Sequence, residues 1–88
     1  MRDLKEIRTE IDEIDNRLIE LFCRRMDCAK DVAAYKKANG IPILNQQRED
    51  EILAEAEQKG GAYGAEAKQL FETMMALSRA LQQSIIDS

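Results

Sequence analysis

No glycine or proline interrupts the chain before Gly40, and that absence governs what it can fold into. Residues from about Asp3 to about Asn39 read as one helix, spanning about 54 Å at ~1.5 Å per residue. A compact monomer of this size has a radius of gyration of only about 12 Å. The helix therefore overhangs any globule that one copy could build. Its apolar positions Leu4, Ile7, Ile11, Ile14, Leu18, Leu21, Cys28, Val32 and Tyr35 follow alternating steps of three and four, as in a coiled-coil seam. Another copy of the same helix is the simplest cover for it.

The seam has one missing step, and Arg25 fills it. An unpaired charge in an apolar seam costs several kcal/mol, so Arg25 needs either an acid such as Glu49 or Glu72, or an anion. Lys36 lies 11 residues on, close to three whole turns, and shares that face. Arg8 lies 17 residues before Arg25, roughly 26 Å along the axis and about 100° around it. If all three cations grip one small anion, Arg8 must come from a second chain.

After the helix, GIPILN at residues 40–45 is a break: Gly40 stops the helix and Pro42 prevents its continuation. Asn45 is positioned to cap a second helix from about Gln46 to Gln58. Gly60 to Gly64 reads as a turn, too short and wrongly patterned to cradle a phosphate. A third helix follows from about Ala65 to Ile86, with an apolar stripe of Ala67, Leu70, Met74, Leu77, Leu81 and Ile85. There is no strand pattern and no repeat. The expected class is all-α: three helices per chain, one very long, in one domain over residues 1–88, paired as a six-helix homodimer.

Composition excludes several functions. The 88 residues carry a net charge of −4 with no basic run, which disfavours bulk nucleic-acid binding. No apolar stretch reaches the ~18 residues of a membrane span. The N-terminus MRDLKEIRTE lacks the apolar core of a signal peptide, so the expected location is cytoplasmic. With no histidine, Ser-His-Asp catalysis and the common His-containing zinc sites are excluded. Cys23 and Cys28, five apart on one helix, point about 140° apart, and are expected as two reduced, half-buried thiols rather than a disulfide or metal pair. No metal and no cofactor is expected.

Taken singly, the polar residues have ordinary readings. Lys36 suits a helix C-terminus and Arg8 a solvated surface. Arg48 and Glu49 open the second helix, where Glu49 complements the dipole. Ser78 and Gln82, at i and i+4, share one face and could simply mark the edge of the stripe.

Together they form a pattern. The spacing Arg8–x16–Arg25–x10–Lys36–x11–Arg48-Glu49–x28–Ser78–x3–Gln82 resembles the AroQ-type, all-helical chorismate mutases over essentially the whole chain. The segments EIDEIDNRLIELFCRRMDCAKDVAAYKK and PILNQQREDEIL are similar to that family's first helix, turn and second helix. The resemblance implies an intertwined dimer whose two sites each take an arginine from the neighbouring subunit. It assigns Arg8 to that donated arginine and Arg25 to a carboxylate-binding arginine of the same chain. Lys36 would bind the ether oxygen and a carboxylate, and Gln82 would be the second donor to that oxygen. Arg48 would stand at the pocket rim, Glu49 would accept from the ring hydroxyl, and Ser78 would assist at a carboxylate. Asn45 stands where some relatives carry Asp, near the hydroxyl.

The implied substrate is a small dianion, chorismate, and the implied reaction is the Claisen rearrangement to prephenate in aromatic amino-acid biosynthesis. An isochorismate-pyruvate lyase would share this fold and cationic site. A non-catalytic helical dimerisation or regulatory module is the reading from another class.

Overall fold

The computed structural model describes residues 1–88. It contains three α-helices: α1 (Leu4–Asn39), α2 (Gln46–Lys59) and α3 (Gly64–Ile86). A short 3₁₀ turn, Gly61–Tyr63, leads into α3.

Local chemistry fixes the helix limits. Asp3 is the N-cap of α1, its side chain accepting from the Lys5 N–H. Gly40 ends α1 at φ 63°, the left-handed conformation that favours glycine. The N–H groups of Gly40 and Ile41 both reach the Lys36 carbonyl there. Asn45 caps α2, its side-chain oxygen accepting from the Arg48 N–H at 3.1 Å. At Gly64 the reason for glycine is space: a Cβ would collide with the Glu57 carbonyl oxygen on α2.

α3 is the shared partner. It packs against α1 on one side and α2 on the other, while α1 and α2 do not pack on each other. The molecule measures 56 × 25 × 14 Å, its long dimension matching α1. Its radius of gyration is 16.3 Å, well above the ~12 Å of a compact chain of this length.

The buried surface is correspondingly small. Ala29 and Ala33 of α1, Ala56 of α2 and Met75 of α3 are the buried apolar residues, and no large side chain is fully enclosed. The N-terminal part of the α1 seam is not covered by this contact. Leu4, Ile11, Ile14, Leu18 and Leu21 keep 47–57% of their surface. The face of α1 that α3 covers runs instead through Phe22, Met26, Ala29 and Ala33, where the alanines allow close approach.

The line that α3 buries is displaced from the expected stripe by one residue, about 100° of rotation. Met75, Ser78 and Gln82 are buried, whereas Leu70 and Leu77 remain exposed. With a helix on each flank, α3 turns the face between them inward, and that face carries two polar residues. Both cysteines are free and exposed, not half-buried, because they lie on the uncovered side of α1. No helix is long and apolar enough to cross a membrane.

Candidate active site

The three helices and the Gly40–Asn45 turn enclose a cavity of about 140 Å³. Of the eight side chains singled out in the sequence, seven line it: Arg25, Lys36, Asn45, Arg48, Glu49, Ser78 and Gln82. Arg8 does not. It is exposed, four to five turns back along an unbroken helix, and cannot reach the cavity of its own chain.

Each wall contributes differently. From α1, the half-buried Arg25 places its guanidinium 5.9 Å from the Phe71 ring centroid, a cation–π distance. Of the two partners open to it, an acid or an anion, the acid is absent: Arg25 forms no ion pair with Glu49 or Glu72, an aromatic face supports it, and its N–H donors have no carboxylate partner. Lys36 spans the turn, donating from Nζ to the Ile43 carbonyl at 2.6 Å. An ammonium has three donors, so two remain. Anchored at its backbone by the Gly40 cap and at its tip by Ile43, Lys36 presents a fixed charge.

From α2, Arg48 is exposed at the rim. Glu49 is held by an ion pair to Arg79 of α3, engaging Oε1. Arg79 also lines the cavity, and the sequence reading missed it. A signal was present: Arg79 is the one charged residue between Glu72 and Asp87.

From α3, Gln82 and Ser78 are buried one turn apart. Gln82 donates from Nε2 to the Ser78 hydroxyl at 3.0 Å, and its Oε1 is buried without a partner.

The cavity thus gathers four cations, one carboxylate and buried neutral donors, over an apolar floor that includes Val32, Ile52 and Met75. Such a set can hold a small multiply charged anion with a hydrogen-bonding substituent. No group of three His, Cys, Asp or Glu side chains lies close enough to hold a metal. A larger open groove of about 710 Å³, between α2 and the start of α3, is lined by Asp50, Glu57 and Lys68 among others.

An all-helical fold with a cationic pocket between three helices defines the class, and sequence comparison identifies the family. Residues 7–83 match the chorismate mutase type II family, and the chain belongs to it. The chain is 33% identical over 87 residues to a chorismate mutase of Methanocaldococcus jannaschii, covering 96% of this chain and 88% of that one. It is 39% identical over 64 residues to the T-protein of Haemophilus influenzae, covering 68% of this chain but 17% of that protein. A shorter match, 33% over 46 residues, joins it to a 4-amino-4-deoxychorismate mutase of Streptomyces venezuelae, covering 52% of this chain and 45% of that one. No solved structure matches.

Proposed function

We propose that residues 1–88 form a single chorismate mutase domain that rearranges chorismate to prephenate, the committed step toward phenylalanine and tyrosine. The observation that carries this reading is the convergence of Lys36 and Gln82 from α1 and α3 on one cavity ringed by arginines. The reaction is unimolecular. It needs no nucleophile, general base, metal or cofactor, which suits a site of fixed donors without histidine.

The residues divide the work by chemistry. Arg25 and Arg48, with Arg8 from a second chain, grip the two carboxylates and hold the enolpyruvyl arm over the ring, removing the entropy of reaching the reactive shape. Ser78 assists at a carboxylate. Lys36 and Gln82 donate to the ether oxygen as its C–O bond breaks and negative charge grows on it. One such preorganised donor contributes ~3–4 kcal/mol. An acceleration of at least ~10⁶ requires about 8 kcal/mol, which two donors plus restriction of the arm reach. Glu49 is the only carboxylate on the cavity, so it repels the substrate carboxylates and suits the ring hydroxyl. Asn45 acts there through its cap, which sets the backbone near the hydroxyl.

The working unit in this reading is a homodimer. A cavity of 140 Å³ falls below the ~300 Å³ of an ordinary ligand pocket, which argues for a further wall. Burying each exposed leucine or isoleucine of the seam contributes about 1.5–3 kcal/mol. Antiparallel pairing of two α1 helices about an axis near Leu18 would cover the seam and bring Arg8 beside the partner's cavity. The setting this implies is a cytoplasmic enzyme.

The test is loss of chorismate absorbance with the purified chain, the product being identified, beside a parallel assay with isochorismate. Prephenate from chorismate supports the reading. Pyruvate release from isochorismate without turnover of chorismate would replace it by the lyase, and inertness toward both by a binding module.

A further inference from the structure

Arg79 has no part in the chemistry above, yet it lines the same cavity and is paired to its only carboxylate. We propose that Arg79 is a specificity residue: by balancing Glu49, it makes the site accept a neutral hydroxyl on the substrate ring and reject an ammonium at the same position. The proposal rests on the mutase reading and on Glu49 facing the ring substituent.

The charges facing this position come from every wall. Arg25 and Lys36 lie on α1, Arg48 and Glu49 on α2, and Arg79 on α3. Only Glu49 is negative, so only Glu49 can attract a cationic group. A free carboxylate here would hold an ammonium more strongly than a hydroxyl, because a hydrogen bond with both partners charged exceeds one with a neutral donor. The Arg79 pair changes that balance. It occupies Oε1 and leaves Oε2 for another donor. A hydroxyl can donate to Oε2 without electrostatic penalty. An ammonium there would stand beside the Arg79 guanidinium in a site whose other charges are also positive. Discrimination thus comes from a repulsive group as well as an attractive one.

The natural probe is 4-amino-4-deoxychorismate, in which an amine replaces the 4-hydroxyl. Aliphatic amines are protonated at neutral pH and lose the proton on the alkaline side. The experiment measures kcat/KM for this compound and for chorismate, in the parent, Arg79→Met and Arg79→Lys, from about pH 6 to 9. The quantity read is the ratio of amino to hydroxyl substrate.

In the parent the ratio should lie well below one and rise with pH as the amine becomes neutral. Arg79→Met should raise it about tenfold or more near pH 6.5, mainly through a lower KM for the amine, and abolish or reverse the pH trend. Arg79→Lys, which keeps the charge, should follow the parent. If Arg79→Met fails to fold, the parent's pH trend decides alone, because a ratio that is flat or falls with pH overturns the proposal. A folded Arg79→Met variant with the parent's ratio also overturns it. Both outcomes leave the mutase reading intact provided chorismate is turned over. A parent that turns over neither compound overturns the mutase reading and this proposal with it.

Discussion

Gln82 and Ser78 are bonded to each other, amide nitrogen to hydroxyl at 3.0 Å, one turn apart in the buried face of α3. The bond leaves the acceptor end of the amide buried without a partner. Turning the amide by 180° about its last bond keeps the pair, with the Ser78 hydroxyl now donating to Oε1 and Nε2 free to donate to substrate. A serine can serve either orientation because its hydroxyl both donates and accepts. On the proposed reading, an arriving ether oxygen, which only accepts, would favour the turned form.

Gln82→Glu tests the donor role through pH. An ionised carboxylate only accepts, and would face the negative charge growing on the ether oxygen. The variant should lose about 10²–10³-fold in kcat at neutral pH and recover as the glutamate protonates in mild acid. Gln82→Ala should be impaired at every pH without acid recovery. If Gln82→Glu equals the parent at pH 7.5, Gln82 does not donate to that oxygen.

Arg8 and Lys36 should complement between chains. Arg8→Ala and Lys36→Ala are each expected to be nearly inactive. In a mixed dimer, one site carries both lesions and the other neither. After verified subunit exchange, activity should rise above both parents toward a quarter of wild type, from half the dimers being mixed with one intact site each. No recovery would place both residues in the site of a single chain.

Gly64→Ala should weaken the fold without touching the cavity. Its added Cβ meets the Glu57 backbone, so α2 and α3 must separate. Overpacking of this kind costs about 1–3 kcal/mol. For a domain of this size each kcal/mol lowers the melting temperature by about 4–8 °C, measured at fixed protein concentration. An unchanged melting temperature would mean that the helices yield freely there.

Glu55 supplies a titration on the outer face of α2. A hydrogen bond from Lys59, and then the attraction of its charge, hold the Glu55 carboxyl below its ordinary value. A carboxyl depressed in the folded state stabilises above its unfolded pKa, and that contribution disappears as pH falls through the folded value. Lys59→Met should return the Glu55 titration, followed by NMR, toward the usual range. Both groups are solvated, so the thermal midpoint at neutral pH should hardly move. A Glu55 titration that does not shift would show that Lys59 is not its partner in solution.

The parts of the fold legible in the sequence were those set by nearest neighbours. Asp3, Gly40, Pro42 and Asn45 act within a few residues of where they stand, and the ends of α1 and the start of α2 fell where these residues put them. The rotation of α3 was not legible. A stripe of Leu70, Met74, Leu77 and Leu81 is the best apolar face of an isolated helix, but α3 answers to two partners and buries Ser78 and Gln82 between them. Seven of the residues that line the cavity were legible through the family's spacing, which lies in types and distances along the chain. The Arg79–Glu49 pair joins residues 30 apart on different helices, outside any local pattern. Glu49, one of the acids that could have answered Arg25, is engaged by that pair, and Phe71 supports Arg25.

That α1 and α2 meet only through α3 also has a consequence to be expected during synthesis. The first two helical segments leave the ribosome with no tertiary surface for one another. Isolated helices of this kind draw most of their stability from packing, so both wait as fluctuating, amphipathic segments. α3, emerging afterwards, supplies the docking surface for both at once and brings Ser78, Arg79 and Gln82 to the cavity in the same step. A nascent chain stalled before α3 has most of the cations of the site and none of its shape.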